Sequence, residues 1–440
     1  MIFPVHTVDE AYGACYPDEP LATNDKRYVD LNEARGGDKL TDFIADRIRR
    51  TPVGRFHQQL ISGHRGCGKS TELQQLKTLL ERSGYFVVYF DAETALDLSE
   101  IKYQDVLVAI TKAIEQTLRD SDIELNPKLR QELDLWFADH ILLEEKRTDW
   151  ETSLKTEFGV DSKFPLLRVL AAIAGQIKSG SSRRNEIRQK VDRELGLFLD
   201  RLNSLIEAAR SAVRLGNFHD LVVIVDGLEK MQFREEKDGR SNHSILFIEH
   251  AEHLNSPRCH IVYTVPIFLA HNDNLRDSFT DEPFILPMVN QNSDSGKTAL
   301  RQIISRRVVI EEVFSDPASV DSLIAMSGGS VRDLLRLVRS ACEGTSDLIR
   351  PTNVERAINR MTNELDRLLQ DEDLDALIEV ARKGVVTSYK VAGKLLRLRL
   401  VHEYLNGERW ADIHPILRRI RRVNEALKDT RKETENNRNV

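Results

Sequence analysis

GHRGCGKST, Gly63 to Thr71, is the stretch on which the fold turns. It meets the pattern G-x-x-x-x-G-K-[ST] at Gly63, Gly68, Lys69 and Ser70. Glycines let the backbone curl so that successive N–H groups point inward at phosphate oxygens. Lys69 can reach β- and γ-phosphates, and the Ser70 hydroxyl can complete a Mg²⁺ shell. The whole run, Gly63, His64, Arg65, Gly66, Cys67, Gly68, Lys69, Ser70 and Thr71, is therefore expected to hold a nucleotide's phosphates. Its flanks fit. FHQQLIS before it reads as a strand, and TELQQLKTLLERSG after it puts Leu73, Leu76, Leu79 and Leu80 on one helical face. Strand, glycine loop, helix is the context the motif requires.

Working outward, YFVVYFDAE (Tyr85 to Glu93), LVVIVDG (Leu221 to Gly227), HIVYTV (from His260) and EPFILPMV (from Glu282) read as further strands. With helices between them they predict an α/β fold built on a parallel sheet of five strands. Between Asp120 and Asp220 the pattern is helical only, which predicts a large helical insertion, with IKSGSSRRN as a flexible link inside it. Short helices follow Ser293, broken at SGGS. The C-terminal run then gives helices followed by VHEYL-NG-ERWADIH. Asn406-Gly407 between two strand-like arms is a hairpin signal, and helices followed by a hairpin outline a winged helix. The polar tail KDTRKETENNRNV is expected to fray. The predicted boundaries are an N-terminal segment at 1–55, a nucleotide-binding core at 56–290 with its insertion at about 120–220, a helical lid at 291–365, and the winged helix with its tail at 366–440.

Composition narrows the class. A chain of 440 residues, 41% hydrophobic and 30% charged, is long enough for several domains and is not disordered. A formal charge of −7 argues against a global electrostatic grip on nucleic acid. Cys15, Cys67, Cys259 and Cys342 are scattered, which disfavours zinc and disulfides and fits a reducing cytosol. The first residues carry no signal pattern, and the longest apolar run, FPLLRVLAAIAGQI, contains Arg168 and is too short for a bilayer. A cytoplasmic protein without membrane contact is expected.

Several residues outside the loop carry chemistry. LVVIVDG delivers Asp226 to the carboxyl edge of the sheet, where it can hold Mg²⁺ through water opposite Ser70. Hydrolysing enzymes of this kind usually place Glu directly after that Asp. Here Gly227 stands there and Glu229 is the nearest acid. Glu229 either folds back over the γ-phosphate as general base or charges the start of the next helix, and slow turnover is expected. Thr264 ends its strand as a γ-phosphate or water contact, or as a cap. Arg332, opening a helix after the Gly-Gly break, reaches back to the γ-phosphate or is a solvated helix charge. Arg276 is a candidate finger for a neighbouring subunit, with Arg301, Arg306 and Arg307 competing for that role. HAEH, His250 to His253, matches no zinc motif. The last sixty residues hold fifteen Lys and Arg against seven Asp and Glu, so the C-terminal unit either contacts DNA or packs on its own core or a partner. None of the expected phosphate ligands lies beyond Arg332, so removing 373–440 is expected to leave ATP binding measurable.

In this order, the phosphate loop, the Asp226 strand, Thr264, the Gly-Gly-x-x-Arg helix and the terminal hairpin resemble the AAA+ and STAND branch of P-loop ATPases. The layout is similar to that of origin-recognition-type AAA+ ATPases, and DGLEK resembles the DGLD or DDLD endings of STAND and KAP NTPases. GHRGCGKSTEL and EYLNGERWADIHP resemble segments of bacterial proteins of this sort. The resemblance implies an ATP- and Mg²⁺-dependent switch that hydrolyses ATP, forms a homo-oligomer and assembles or gates a protein effector, often in antiphage defence. Two other readings stay open: a DNA-bound ATPase of replication-initiator or transposition-regulator type, and a nucleotide-binding scaffold with little hydrolysis.

Overall fold

A computed structural model describes residues 2–142, 165–178, 182–272, 275–386 and 389–438. All five predicted core strands form: β1 (Gln58–Gly63), β2 (Phe86–Asp91), β3 (Leu221–Asp226), β4 (His260–Thr264) and β5 (Phe284–Leu286). They lie in the order β2-β3-β4-β1-β5, and every pairing is parallel. β5 is shorter than the apolar run around it because Pro283 and Pro287 bracket it, and proline cannot donate to a ladder.

Both faces of the sheet are covered, which explains why its strands read as unbroken apolar runs. Alternation sorts the side chains. Val88, Val223, Val225, Ile261 and Tyr263 join one core with the helix Tyr103–Asp120. Val87, Val222, Ile224 and Val262 join another with Leu40, Ile44, Leu73, Leu76 and Leu80. The first of these cores continues into the insertion. Helices Pro127–His140, Pro165–Lys178, Ser182–Arg193 and Leu195–Leu215 contribute Phe137, Val169, Ile187 and Phe198 to it. The insertion is also fastened by charge. Arg188, buried, bonds Asp105 at 2.5 Å and Glu100 at 2.9 Å, while Arg184 bonds Asp97 at 2.6 Å. Part of the predicted flexible link, 179–181, lies outside the described residues.

After β5 come helices Asp294–Ser305, Ser319–Met326, Val331–Cys342 and Pro351–Leu368, the last longer than the short helices predicted. The C-terminal unit holds helices Leu374–Lys383 and Tyr389–Leu398, then the antiparallel hairpin β6 (Val401–Asn406) and β7 (Glu408–Ile413). Asn406 pairs with Glu408, so Gly407 alone forms the tip, at φ 77°. Tyr404 and Trp410 stand opposite one another, with rings stacked 4.3 Å apart. The tail, predicted to fray, instead continues as a helix from Arg421 to Arg438. Val423 anchors it in the core, and Arg421 bonds Glu425 one turn on at 2.7 Å.

Candidate nucleotide site

Asp226, Thr264 and Gly63 end their strands at the same edge of the sheet, and the loop of residues 63–71 crosses that edge. Gly66 and Gly68 hold φ of 96° and 99°, a region that favours glycine. A Cβ on Gly66 would stand 2.7 Å from Cβ of Arg332, so glycine here also permits close approach of a second segment. Gly68 caps the helix Lys69–Arg82 without a side-chain bond, leaving that helix's first N–H groups directed at the loop. Lys69 is buried. Its Nζ donates to the carbonyls of Gly63 (2.9 Å) and His64 (3.1 Å) and lies 3.4 Å from Glu229.

The two carboxylates are set apart by environment. Asp226 is fully buried and accepts from the Tyr89 hydroxyl at 2.8 Å. Burial and the neighbouring Glu229 push it up to about 6, against the pull of the Ser70 and Tyr89 hydroxyls. Glu229 is also buried, yet the Lys69 ammonium and the Thr264 hydroxyl outweigh burial and hold it below the usual carboxylate value. Gly227, in the left-handed region at φ 84°, makes this possible. It turns the chain into a single helical turn, Leu228–Lys230, that brings Glu229 back over the loop. Thr264 accepts from the Leu228 N–H at 3.1 Å, so it holds this turn in place.

An open cleft lies above the loop, with about 130 Å³ of interior space. Arg65, Gly66, Lys69, Ser70, Thr71 and Glu229 line its floor, and Arg332 lines its wall. Arg332 donates from its N–H to the Gly66 carbonyl at 3.3 Å, and its guanidinium pairs with Asp18 at 2.7 Å. Arg276 sits on the short helix Leu275–Ser278, away from this cleft along the chain; its side chain is outside the described residues. Among its competitors, Arg301 pairs with Asp321, Arg306 donates to the Tyr28 carbonyl, and Arg307 lines the cleft of its own chain.

Sequence reading missed the N-terminal contribution. Pro17 to Leu21, Arg27 to Val29 and Leu31 line the cleft, and Thr71 accepts from the Leu21 N–H at 3.2 Å. Arg35 caps the Cys67 carbonyl at 2.6 Å and pairs with Glu72 at 2.9 Å, both side chains buried. Lys230, paired with Asp91 and Glu93, also lines the cleft and was not singled out. No spacing signal marks these residues, because their partners lie far away in the chain.

Two sequence-level features lie elsewhere. His250 and His253 of HAEH pack against Tyr103 with tilted rings, their centroids 4.6 and 4.4 Å from its own. All four cysteines are buried and free, and burial pushes the Cys15, Cys259 and Cys342 thiols up to about 12, which makes them poor nucleophiles.

The geometry and strand order are those of a phosphate loop feeding a five-stranded parallel sheet. Solved structures that align with the chain include a Walker-type ATPase of Pyrococcus abyssi, at 13% identity and TM-score 0.43, covering 94% of this chain and 99% of that one. Cdc6p of Pyrobaculum aerophilum matches at 12% identity and TM-score 0.41, over 97% and 100% of the two chains. The Orc1 protein of Aeropyrum pernix, solved in complex with DNA, matches at 14% identity and TM-score 0.37, over 95% and 96%. No family model and no curated protein matches the chain. Among the described residues, no helix is long and apolar enough to cross a membrane.

Behind the loop, Asp333, His402 and His414 meet, all buried, with their polar atoms within 4.8 Å of one another. The cluster joins helix Val331–Cys342 to the hairpin. Asp333 also takes the Arg399 guanidinium at 3.2 Å, and the His414 Nδ1 accepts from the Ile416 N–H at 3.3 Å. Burial holds His402 down to about 4 and His414 to about 3, despite the Asp333 carboxylate facing both. Both imidazoles are therefore neutral in the fold, and the unfolded chain takes up more protons below about pH 6.5. Their contribution is complete above that pH and is lost as pH falls towards about 4. The thermal midpoint is expected to fall over this window, and the fall to be shallower in a His402→Gln/His414→Gln double variant. Matching slopes for the two proteins would show that these histidines do not set the pH response.

Proposed function

We propose that this chain is an ATP-binding and ATP-hydrolysing switch, organised as a core at 56–290, a lid at 291–365 and a C-terminal unit at 366–440. The observation that carries this reading is the convergence of Lys69, Glu229, Thr264 and Asp226 on one edge of the sheet, under an open cleft lined by the phosphate loop. In the nucleotide-bound state, Lys69 exchanges the Gly63 and His64 carbonyls for phosphate oxygens. Glu229, relieved of its ion pair, accepts a hydrogen bond from the attacking water and orients it. Thr264 keeps the Glu229 turn in register, and Arg332 reaches the γ-phosphate from the lid on leaving Asp18.

A divalent cation fits the remaining donors. The Oδ1 of Asp226 and the Oε2 of Glu229 are buried without a hydrogen-bond partner among the described residues, as carboxylates awaiting water or a cation would be. Ser70 and Asp226 would hold Mg²⁺, which supplies charge stabilisation to the phosphate oxygens when bound. Asp226→Asn is expected to remove most of the Mg²⁺ dependence of ATP binding, read by titration with and without the cation. Equal Mg²⁺ dependence in variant and wild type would remove Asp226 from that role.

As output we favour assembly or gating of a protein partner by a homo-oligomer. The basic side chains of the C-terminal unit support this over DNA contact, because many are already paired within the chain: Lys394 with Asp373, Arg399 with Asp333, Arg418 with Asp412 and Arg422 with Asp366. Arg397 lies over the Phe233 ring at 4.1 Å. An antiphage setting rests on the family resemblance alone, and a trans role for Arg276 on its place just before the last sheet strand. Phosphate release and particle mass, measured together with ATP and Mg²⁺, test the switch. A chain that binds ATP but neither hydrolyses it nor changes mass is a scaffold instead.

A further inference from the structure

His64 fills a variable position of the loop pattern, and its side chain has no assigned part in phosphate binding. It is nevertheless fully buried. Its Nε2 accepts the backbone N–H of Glu403, in β6, at 2.9 Å, while its own carbonyl is one of the two that hold Lys69. Glu403 also offers its carbonyl to the Met288 N–H just beyond β5, at 3.0 Å. Both backbone groups of Glu403 thus serve the core, and the open edge of β6 is closed there by the phosphate loop. The Glu403 carboxylate is buried and bonds the His271 Nε2 at 2.5 Å.

The hairpin is held to the surroundings of the cleft at two more points. His402 Nδ1 and the Tyr404 hydroxyl both bond the Gly328 carbonyl, at 3.0 and 2.9 Å, in the turn that leads to Arg332. A Cβ on Gly36 would stand 2.7 Å from the Leu405 carbonyl oxygen, so the N-terminal segment packs against the same strand. Loop, lid turn and N-terminal segment all close on β6.

We infer that His64 is a positioning residue that couples nucleotide binding to seating of the β6–β7 hairpin, each favouring the other. This rests on the nucleotide reading of the cleft. A loop that must cradle phosphates gains from being held in shape beforehand. Because coupling is reciprocal, bound nucleotide must tighten the hairpin by the same factor by which the hairpin tightens nucleotide. Removing 373–440 would then weaken ATP binding, although every expected phosphate ligand remains.

The test uses the full chain. ATP–Mg²⁺ affinity is measured by titration, and hydrogen exchange is followed across Val401–Asn406 with and without nucleotide. In the wild type, nucleotide slows that exchange. His64→Leu, which removes the acceptor, weakens affinity by roughly ten- to a hundredfold and abolishes the nucleotide effect on exchange. His64→Gln restores an acceptor and recovers both to within about threefold. Where His64→Leu fails to fold by circular dichroism, Tyr404→Phe, which loses the hydroxyl's bond to the Gly328 carbonyl, is expected to bind ATP about fivefold more weakly. Wild-type affinity in the folded variant, or exchange indifferent to nucleotide in the wild type, overturns the coupling alone. Absence of ATP binding by the wild type overturns the nucleotide reading and the coupling with it.

Discussion

Lys69→Ala is expected to lower affinity for ATP–Mg²⁺ by about two to three orders of magnitude, the usual result of deleting one partner of a buried charged contact. The ammonium is buried and already sits among acceptors, so nucleotide exchanges one set of oxygens for another at little reorganisation. The variant has a second consequence. Glu229 would lose the cation that offsets its burial, so its carboxyl should take up a proton nearer neutral pH. Some loss of thermal stability is therefore expected even without nucleotide. Isothermal titration reads the first effect and thermal unfolding the second. Undiminished affinity would remove the phosphate-binding role of the loop.

Glu229→Gln is expected to separate binding from turnover. Losing a general base costs roughly a hundred- to ten-thousandfold in rate, whereas binding should persist or tighten. The neutral amide no longer competes with phosphate for Lys69, which now lies 3.4 Å from the carboxylate. Single-turnover phosphate release and retention of labelled ATP on the protein are the measurements. Hydrolysis at the wild-type rate would show that the base lies elsewhere, since a residue that orients water acts in the transition state.

The parts of this molecule that were legible in the sequence are those with short-range spacing. The loop, the Asp226 strand and the five-stranded sheet announce themselves through patterns a few residues long. Even the unusual place of Glu229 was visible as a choice between two readings, and the left-handed turn at Gly227 brings the side chain to Lys69. What could not be read was assembled by distant contacts. Thr264 was legible as a phosphate or water contact or as a cap, but its bond to the Leu228 N–H, which holds the Glu229 turn, was not. Arg35 and Pro17 to Leu21 carry no motif, and their burial depends on how the first residues wrap the cleft. His64 was legible only as one of the phosphate-holding run, because its side-chain partner is a backbone N–H in β6, which any residue except proline would provide.

The distance along the chain between those two partners also governs when the site can exist. About 330 residues separate the loop from Glu403. At ribosomal speeds of about 5–20 residues per second, the loop emerges roughly 20–70 s before the strand that closes it. During that interval the nascent protein has its phosphate-binding motif but not the hydrogen bond from β6. ATP stabilises whatever binds it best, so it would favour completed chains over prematurely terminated ones.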